Sequence, residues 1–546
     1  MNTQPIADVR AQVMWNRLIA VVEEQAVVLL RTAFSTSVRE SGDLSAGVFD
    51  RRGRMIAQAV TGTPGHVNAM AAAVGHFIRV IGDDNIFEGD AYITNDPWLG
   101  TGHLHDFTMV SPSFRKGKLI GYFACTAHVV DVGGRGFGPD ANEVYEEGIC
   151  IPIMKFAERG KVNRDLVNIL HNNVRESKQV VGDVYSLAAC NETGHRRLIE
   201  MMDEFAIEDL DALAGFVFER SHAATLERIA ALPKGAYRNS MRVDGYGAPV
   251  EMVVCLTVKN DGIVVDFDGT SGQSPRGINV PLIYTTAYAA YGLKVALAPD
   301  IPNNWASLEP FQVIAPPGSI LNAQHPAPVA VRHVLGHFVP DVILGAVHQM
   351  LPGVAPAEGA GALWNIQISA RPTGGSLPQG TIGRRAEVLM FNSGGSGARP
   401  TLDGMHATAF PSGVHTMSVE ATEHVGPVIF WRKELREDSG GDGKFRGGLG
   451  QIVEIAPAKG HEFYFNAMFD RLENPALGRA GGLPGKPGAV ALDDGTKLRG
   501  KGRQYVPEGR RLILEVPGGG GYGAPTERSC EDRERDRRRG YVKSTD

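Results

Sequence analysis

The sequence predicts an α+β protein with more than one lobe, in which a helical and mixed N-terminal part precedes a β-rich, glycine-rich C-terminal part. The chain has 546 residues, which exceeds the roughly 250–300 at which one hydrophobic core stops growing. Its 67 glycines and 32 prolines indicate many turns and short strands. We expect an α+β metal-binding lobe at 1–232, a β-rich lobe with helices at 233–527 and a charged C-terminal tail at 528–546.

The N-terminal elements follow from hydrophobic periodicity. Apolar residues recur at helical spacing through 8–39, which predicts one long helix that ends near Gly42. Residues 46–60 hold two short apolar runs around a glycine-containing turn, which predicts a hairpin. The remaining predictions for this part are a helix at 68–81, strands at 90–96 and 119–130, and mainly helices at 160–232.

The pattern changes after residue 235. Runs of apolar and β-branched residues predict strands at 237–246, 251–260 and 262–271, followed by a helix at 283–297. Beyond residue 355, turns rich in glycine and serine alternate with strands. No internal repeat of fixed period is present in the sequence.

Composition argues against several classes of protein. The net charge is −6, and no basic stripe of the kind that binds nucleic acid is present. The five cysteines include no CxxC pair, and their odd number does not suit a disulfide framework. No apolar run reaches the ~18 residues of a membrane span, and the N-terminus lacks the pattern of a signal peptide. We therefore expect a cytoplasmic protein without membrane or nucleic-acid partners, whose mixed-sign C-terminal charge run is a solvated segment.

Histidines and aspartates concentrate in two nearby stretches, NDPWLGTGHLHDF at 95–107 and AHVVDVGG at 127–134. Imidazole and carboxylate together form a ligand set for Zn, Mn or Fe(II). The candidates are His103, Asp106, His128 and Asp131, with Asp43 upstream in ESGD.

The spacing places one condition on such a site. On a regular strand, His103 and Asp106 would point to opposite faces. They can bind one ion only if LGTGHL is an irregular turn, which Gly100 and Gly102 favour. The alternative is that these are surface-loop histidines and capping aspartates, and spacing alone leaves both interpretations open.

Other motifs have weaker signals. His66 and Glu146 are pocket candidates, each with a structural alternative. Arg332, His333 and His337 in VRHVLGH are interpreted first as helix-end or interface residues. The glycine runs NSGGSGARP and VPGGGGYG would form either anion-binding backbone nests or tight turns. No GxxxxGK[ST] phosphate loop occurs in the sequence, so we expect any ATP chemistry to lie on a partner.

The stretch from 95 to 134 resembles the signature region of the hydantoinase B/oxoprolinase family. This family contains the beta subunits of ATP-dependent N-methylhydantoinases, the matching half of 5-oxoprolinase, lactamase relatives, and subunits of acetone and acetophenone carboxylases. Other stretches that resemble family blocks include RESGDLSAGVFD, DFDGTSGQSPRGINVP and KELREDSGGDGKFRGGLGQ. The resemblance covers about 8–527.

The resemblance implies a metal-bearing subunit of an ATP-dependent cyclic amide hydrolase that opens a hydantoin, 5-oxoproline or lactam ring. It implies a hydantoinase A-type partner subunit that holds ATP with Mg. Carried over residue by residue, it implies a divalent metal bound by Asp43, His103, Asp106 and His128, in a turned loop.

The resemblance also bears on neighbouring residues. Asp131 becomes a candidate to orient His128. His105 stands where many relatives have proline, so it would contact substrate or replace the proline in the turn. With His66 and Glu146, these two residues complete the catalytic candidates. Two alternatives remain: a subunit of an ATP-dependent acetone- or acetophenone-type carboxylase acting on a ketone, and a non-catalytic scaffold subunit with a structural metal.

Overall fold

A computed structural model describes residues 4–61, 63–361, 363–373 and 385–543. These residues form twelve α-helices: α1 (Gln4–Thr32), α2 (Thr36–Arg39), α3 (Pro64–Ile81), α4 (Arg164–Asn173), α5 (Ser177–Glu204), α6 (Asp211–Ala230), α7 (Leu282–Leu297), α8 (Trp305–Leu308), α9 (His333–Gly336), α10 (Val339–Met350), α11 (Val419–Val425) and α12 (Cys530–Arg538). Among the described residues, no helix has the length and apolar character needed to span a membrane.

The same residues form four sheets. The strands are β1 (Leu44–Phe49), β2 (Met55–Gln58), β3 (Ala91–Thr94), β4 (Asp106–Arg115), β5 (Lys118–His128), β6 (Met154–Glu158), β7 (Lys161–Val162), β8 (Gly235–Val243), β9 (Val250–Val258), β10 (Ile263–Asp266), β11 (Phe311–Ile314), β12 (Ile366–Pro372), β13 (Ala386–Met390), β14 (Val428–Leu435), β15 (Gln451–Pro457), β16 (His461–Met468), β17 (Ala489–Leu492), β18 (Lys501–Val506) and β19 (Leu512–Glu515). The sheet orders are β2-β1-β5-β4-β3-β6-β7, β11-β10-β9-β8, β13-β12-β16-β18 and β14-β15-β19-β17. The α+β prediction is confirmed.

The seven-stranded sheet is antiparallel and positions the candidate site. Alternate residues of β5 face opposite sides: Phe123 and Cys125 pack into the core that includes α1 and α5, while Tyr122 and Ala124 pack against α3. Side chains on one strand alternate between the two faces, so His128 lies on the α3 side. In the register between β4 and β5, Asp106 is directly opposite His128.

The first helix is shorter than its periodicity predicts. It ends at Thr32, and a separate short helix, α2, precedes the ESGD turn. The buried carboxylate of Asp183 on α5 accepts the backbone N–H groups of Phe34 (2.7 Å) and Ser35 (3.1 Å). Those N–H groups are therefore bound to a distant side chain instead of continuing the helix, an outcome that local periodicity does not encode.

Three hydrophobic cores form among the described residues; the smallest lies between α3 and the seven-stranded sheet, and the other two hold most of the chain together. The larger core takes in residues from α1 through α10, on both sides of residue 232. The smaller core lies between the two last sheets and includes Trp364, Phe465 and Leu514. The division of the chain at residue 232 stays a prediction.

The glycine runs pack directly against one another in what we term the glycine layer, which comprises residues 392–398, 439–450 and 516–523. A Cβ placed on Gly395 would lie 1.8 Å from the carbonyl oxygen of Gly448. The N–H of Gly448 donates to Ser396 (2.9 Å), and the N–H of Gly519 donates to Gly448 (3.0 Å). These N–H groups donate to carbonyl oxygens of neighbouring segments and are not free for an anion, so the interpretation as anion-binding nests is wrong.

The C-terminal segment is only partly solvated. It forms α12, on which Asp536 is buried. The Asp536 carboxylate accepts hydrogen bonds from Arg446 (3.2 Å) and Arg528 (2.7 Å). This ion pair holds the helix against the glycine layer, and the charge run of the sequence did not predict it.

Candidate metal centre

The loop before β4 is the irregular turn that the site requires. Gly102 has a φ of +101°, a value that favours glycine. Asn95 holds the loop in place, since its side-chain amide donates to the carbonyl groups of Leu104 (2.7 Å) and Ile149 (2.9 Å). His103 therefore turns back toward Asp106 instead of pointing to the opposite face.

Three of the predicted ligands meet in the protein interior. The Oδ1 atom of Asp106 lies 2.8 Å from Nε2 of His103 and 3.1 Å from Nδ1 of His128. One possible ligand atom from each residue lies within 4.8 Å of the other two, and all three side chains are buried. Two imidazoles and a carboxylate at this separation form a ligand set for a divalent transition metal.

The contact between His103 and Asp106 lacks the proton of an ordinary hydrogen bond. Nδ1 of His103 lies 2.8 Å from the carbonyl oxygen of Ala330, so Nδ1 carries the proton and Nε2 presents a lone pair. Burial, reinforced by the charge of Arg332, lowers the pKa of His103 to about 4, which keeps the ring neutral. A lone pair thus faces a carboxylate oxygen at 2.8 Å. A bound cation would convert this repulsion into two ligand bonds.

The other oxygen of Asp106 is held by neighbouring side chains. Oδ2 accepts hydrogen bonds from Thr101 (2.8 Å) and from the Arg332 guanidinium, and it lies 2.9 Å from Nε2 of His66. Burial alone would raise the pKa of Asp106, but the neighbouring imidazoles and the permanent charge of the Arg332 guanidinium outweigh it and hold the pKa well below its usual range. Asp106 is therefore ionised, with Oδ1 directed at the histidines.

Asp43 and His66 form an extension of this group. The carboxylate of Asp43 lies 3.5 Å from Nδ1 of His66 and accepts a hydrogen bond of 2.8 Å from Thr63. His66 in turn contacts Asp106. Asp43 reaches the three-residue group through His66 and is not itself one of its members. Its role as a ligand stays a prediction.

His105 lies inside the site and has no polar partner. Its ring is stacked on that of His128 at 5.5 Å and packs against Phe137 at 4.8 Å between centroids. Within the described ranges, neither of its ring nitrogens has a hydrogen-bond partner. Burial lowers its pKa well below the ordinary value for histidine. Buried polar atoms without partners mark a place for a ligand or water, and a contact between His105 and substrate stays a prediction.

Asp131 and Glu146 are directed away from the three ligands. Asp131 is buried and accepts hydrogen bonds from Arg175 Nη1 (2.8 Å) and from the backbone N–H of Gly133 (3.0 Å). Glu146 is partly exposed and pairs with Arg135. The contacts of Asp131 stabilise the loop after β5, and none of them reaches His128. A catalytic role for either residue stays a prediction without a contact to support it.

Three residues of the site have roles that the sequence did not reveal. Arg332 stands at the N-terminal end of α9, which agrees with its interpretation as a helix-end residue, and its guanidinium is in addition buried against Asp106. Phe137 places its ring 5.0 Å from that of His128 and 5.8 Å from that of His103. Glu147 accepts the backbone N–H groups of Val329 (2.6 Å) and Ala330 (2.8 Å), and thereby fixes the carbonyl that orients His103. For these residues, the one sequence feature that could have indicated a site was the presence of an arginine and two histidines in the apolar stretch VRHVLGH.

Comparisons with known proteins identify the family of this chain. The family model described as hydantoinase B/oxoprolinase matches residues 7–525. A putative D-/L-hydantoinase subunit from Pseudomonas sp. (strain NS671) is 29% identical over 97% of this chain and 92% of its own length.

Two solved structures share the fold. The ATP-dependent caprolactamase from Pseudomonas jessenii superposes with a TM-score of 0.88 and 26% identity, over 100% of this chain and 95% of that one. Nucleotide-free acetone carboxylase superposes with a TM-score of 0.86 and 18% identity, over 99% of this chain and 79% of that one. The second likeness shows the fold alone. On the family match across nearly its whole length, the chain belongs to the hydantoinase B/oxoprolinase family.

Proposed function

We propose that this chain is the metal-bearing subunit of an ATP-dependent cyclic amide hydrolase that opens a hydantoin, 5-oxoproline or lactam ring. Family membership and the likeness to a hydantoinase subunit and to caprolactamase support this class of reaction. The observation that carries the metal is the buried group of His103, Asp106 and His128, whose possible ligand atoms lie within 4.8 Å of one another. Zn, Mn or Fe(II) would each suit two imidazoles and a carboxylate.

The side chains around the centre have different roles in this proposal. His103, Asp106 and His128 hold the ion, and His105, whose ring nitrogens have no partner among the described residues, stacks on His128 beside it. Arg332 and Thr101 keep the second oxygen of Asp106 occupied. Phe137 covers the histidines and excludes water from that side. When bound, the divalent metal would polarise an amide carbonyl or lower the pKa of a water molecule.

A partner protein supplies the ATP chemistry in this proposal. Amide resonance makes ring hydrolysis slow, and phosphorylation of the carbonyl oxygen creates a leaving group. The sequence contains no GxxxxGK[ST] loop that would bind ATP phosphates. Two relatives are named as single subunits of larger enzymes, a hydantoinase and a caprolactamase, and these names support a hydantoinase A-type partner.

Metal analysis tests the site. Purified wild-type protein should contain about one equivalent of a transition metal, and H103A and H128A should each lose most of it, because loss of a direct ligand removes the coordination geometry. H171A is the matched control, because His171 is exposed on α4, and it should keep the metal. Equal metal content in H103A, H128A and wild type, with all three folded, would overturn the proposed site.

Activity assays of the assembled complex separate the reaction classes. ATP turnover would be measured with 5-oxoproline, hydantoins and lactams, and separately with acetone plus bicarbonate. Ring opening without bicarbonate is the expected result. Carbon from bicarbonate appearing in the product would replace the proposal with the ketone carboxylase alternative. The fold shared with acetone carboxylase is the reason to test this alternative. A complex that shows neither activity but keeps its metal would favour the scaffold alternative.

A further inference from the structure

Six arginines line two adjoining depressions on the surface of the β12, β16 and β18 sheet, which we term the arginine cleft. The inner depression has a volume of about 410 Å³ and the outer one about 640 Å³. Both are lined by Arg371, Tyr464 and Arg503. The complete set of arginines is Arg135, Arg175, Arg371, Arg385, Arg499 and Arg503. Such a concentration of positive charge is notable in a chain whose net charge is −6.

Part of this positive charge is not neutralised by the protein. Arg371 pairs with Glu462, Arg175 with Asp131 and Arg135 with Glu146. Two carboxylates, Glu176 and Glu387, also line the inner depression. In the part of the chain that the structure describes, the guanidinium groups of Arg499 and Arg503 form no ion pair with a carboxylate, although the backbone N–H of Arg503 donates to Asp140 (2.7 Å). Guanidinium groups left without carboxylates are suited to bind an external anion, and their planar fork matches phosphate oxygens.

The sheet holds the central residues in a fixed arrangement. Tyr464 lies opposite Ser369 on β12 and opposite Tyr505 on β18. The guanidinium groups of Arg371 and Arg503 lie over the Tyr464 ring, with their central carbons 4.7 Å and 4.6 Å from its centroid. Stacking on a ring orients the planes of both guanidinium groups while leaving N–H edges for a ligand.

The inner end of the cleft adjoins the metal centre. Asn466, which lines the cleft, donates from its side-chain amide to the carbonyl oxygen of Phe137 (3.0 Å). The Phe137 ring packs on His103 and His128. Residues 131–138 therefore form the wall between the cleft and the candidate metal centre. Arg175 binds this wall from the cleft side through Asp131 (2.8 Å) and the carbonyl of Gly133 (3.0 Å).

We propose that the arginine cleft binds the phosphate group of a small phosphorylated reactant, with Arg371 and Arg503 as its main contacts. This inference rests on the proposed function, in which a ring amide is phosphorylated on the partner before it reaches the metal-bearing chain. The volume of the inner depression suits a small molecule. Its position one loop from the metal centre favours a reactant over a protein segment.

Titration of the full-length chain with acetyl phosphate and with inorganic phosphate tests the proposal, at constant ionic strength set by chloride. We expect saturable binding to wild type. Charge-assisted hydrogen bonds to phosphate are strong enough that R371Q and R503Q should each weaken it roughly tenfold. R228Q is the matched control, because Arg228 is an arginine exposed on α6 and paired with Asp300; it should bind phosphate as wild type does.

Further measurements separate this inference from the proposed function. Metal content of R371Q and R503Q should equal that of wild type, so loss of phosphate affinity with normal metal supports the cleft. Equal phosphate affinity in wild type, R503Q and R228Q would overturn the inference and leave the metal site standing. Loss of association with the ATP-binding partner in R371Q/R503Q, with phosphate affinity unchanged, would also overturn it and assign the cleft to an acidic protein segment. Full ring-opening activity in a variant without phosphate affinity would exclude a role for the cleft in the reaction.

Discussion

Replacement of Glu147 by glutamine should remove a specific part of the pH dependence of stability. Glu147 is buried and accepts two backbone N–H groups, from Val329 and Ala330. Burial raises its pKa to about 8, from an ordinary value of 4.5. At neutral pH the folded protein therefore holds this side chain protonated, and a glutamine preserves its shape and its accepting oxygen without the titration.

The magnitude follows from the two pKa values. Between pH 4.5 and 8 the folded state holds a proton on Glu147 that the unfolded state has released. Because the unfolded state binds fewer protons in this window, the free energy of unfolding falls as pH rises, by at most about 1.4 kcal/mol per pH unit. The stabilisation is fully present below pH 4.5 and is lost as pH passes 8. Over the whole window the ceiling is ~5 kcal/mol.

Urea unfolding of wild type and E147Q, measured between pH 5 and 8.5, isolates this contribution. As pH rises, the free energy of unfolding of wild type should fall steadily relative to that of E147Q. Burial raises the pKa of Asp341 to about 7. Because Asp341 titrates in both proteins, its contribution cancels in the difference between their unfolding free energies. E146Q, which changes the partly exposed neighbour of Glu147, should run parallel to wild type above pH 6. Parallel profiles for wild type and E147Q would refute the assignment of a raised pKa and the buried role of Glu147.

Two further predictions concern the packing around the site. G395A should strongly lower the midpoint of thermal unfolding, because its Cβ would lie 1.8 Å from the Gly448 carbonyl oxygen. The control is G215A, in an open position on α6, which should be neutral or stabilising by up to ~1 kcal/mol. Equal midpoints for the two variants would argue against a close-packed glycine layer. R471M removes the buried partner of Glu358, which lies 3.1 Å away, and should cost about 3–5 kcal/mol in urea unfolding; a loss below ~1 kcal/mol would mean that the pair is solvated.

The group of candidate metal ligands was predictable because its members are close together in sequence. His103 and Asp106 lie in one loop, and His128 ends the next strand, which periodicity placed at 119–130 and the structure places at Lys118–His128. A β-hairpin brings the start of one strand opposite the end of the next, so neighbours in sequence become neighbours in space. The irregular turn was signalled by its glycines.

Other parts of the site were not predictable, because their partners are distant along the chain. Arg332 reaches Asp106 across 226 residues, and Ala330 orients His103 across 227. The early end of α1 has the same cause, since Asp183 captures N–H groups of Phe34 and Ser35 from a distant helix. No periodicity or motif spacing carries such contacts.

The sequence by itself determined which residue types could bind a metal, the strands that carry them and the family to which the chain belongs. Only the tertiary structure showed that the lone pair of His103 faces Asp106, that Arg332 and Glu147 hold this arrangement, and that glycine runs pack into a layer instead of forming nests. The physical reason is that hydrophobic and turn patterns act between near neighbours, whereas the orientation and protonation of buried polar groups depend on whichever distant segments exclude water from them.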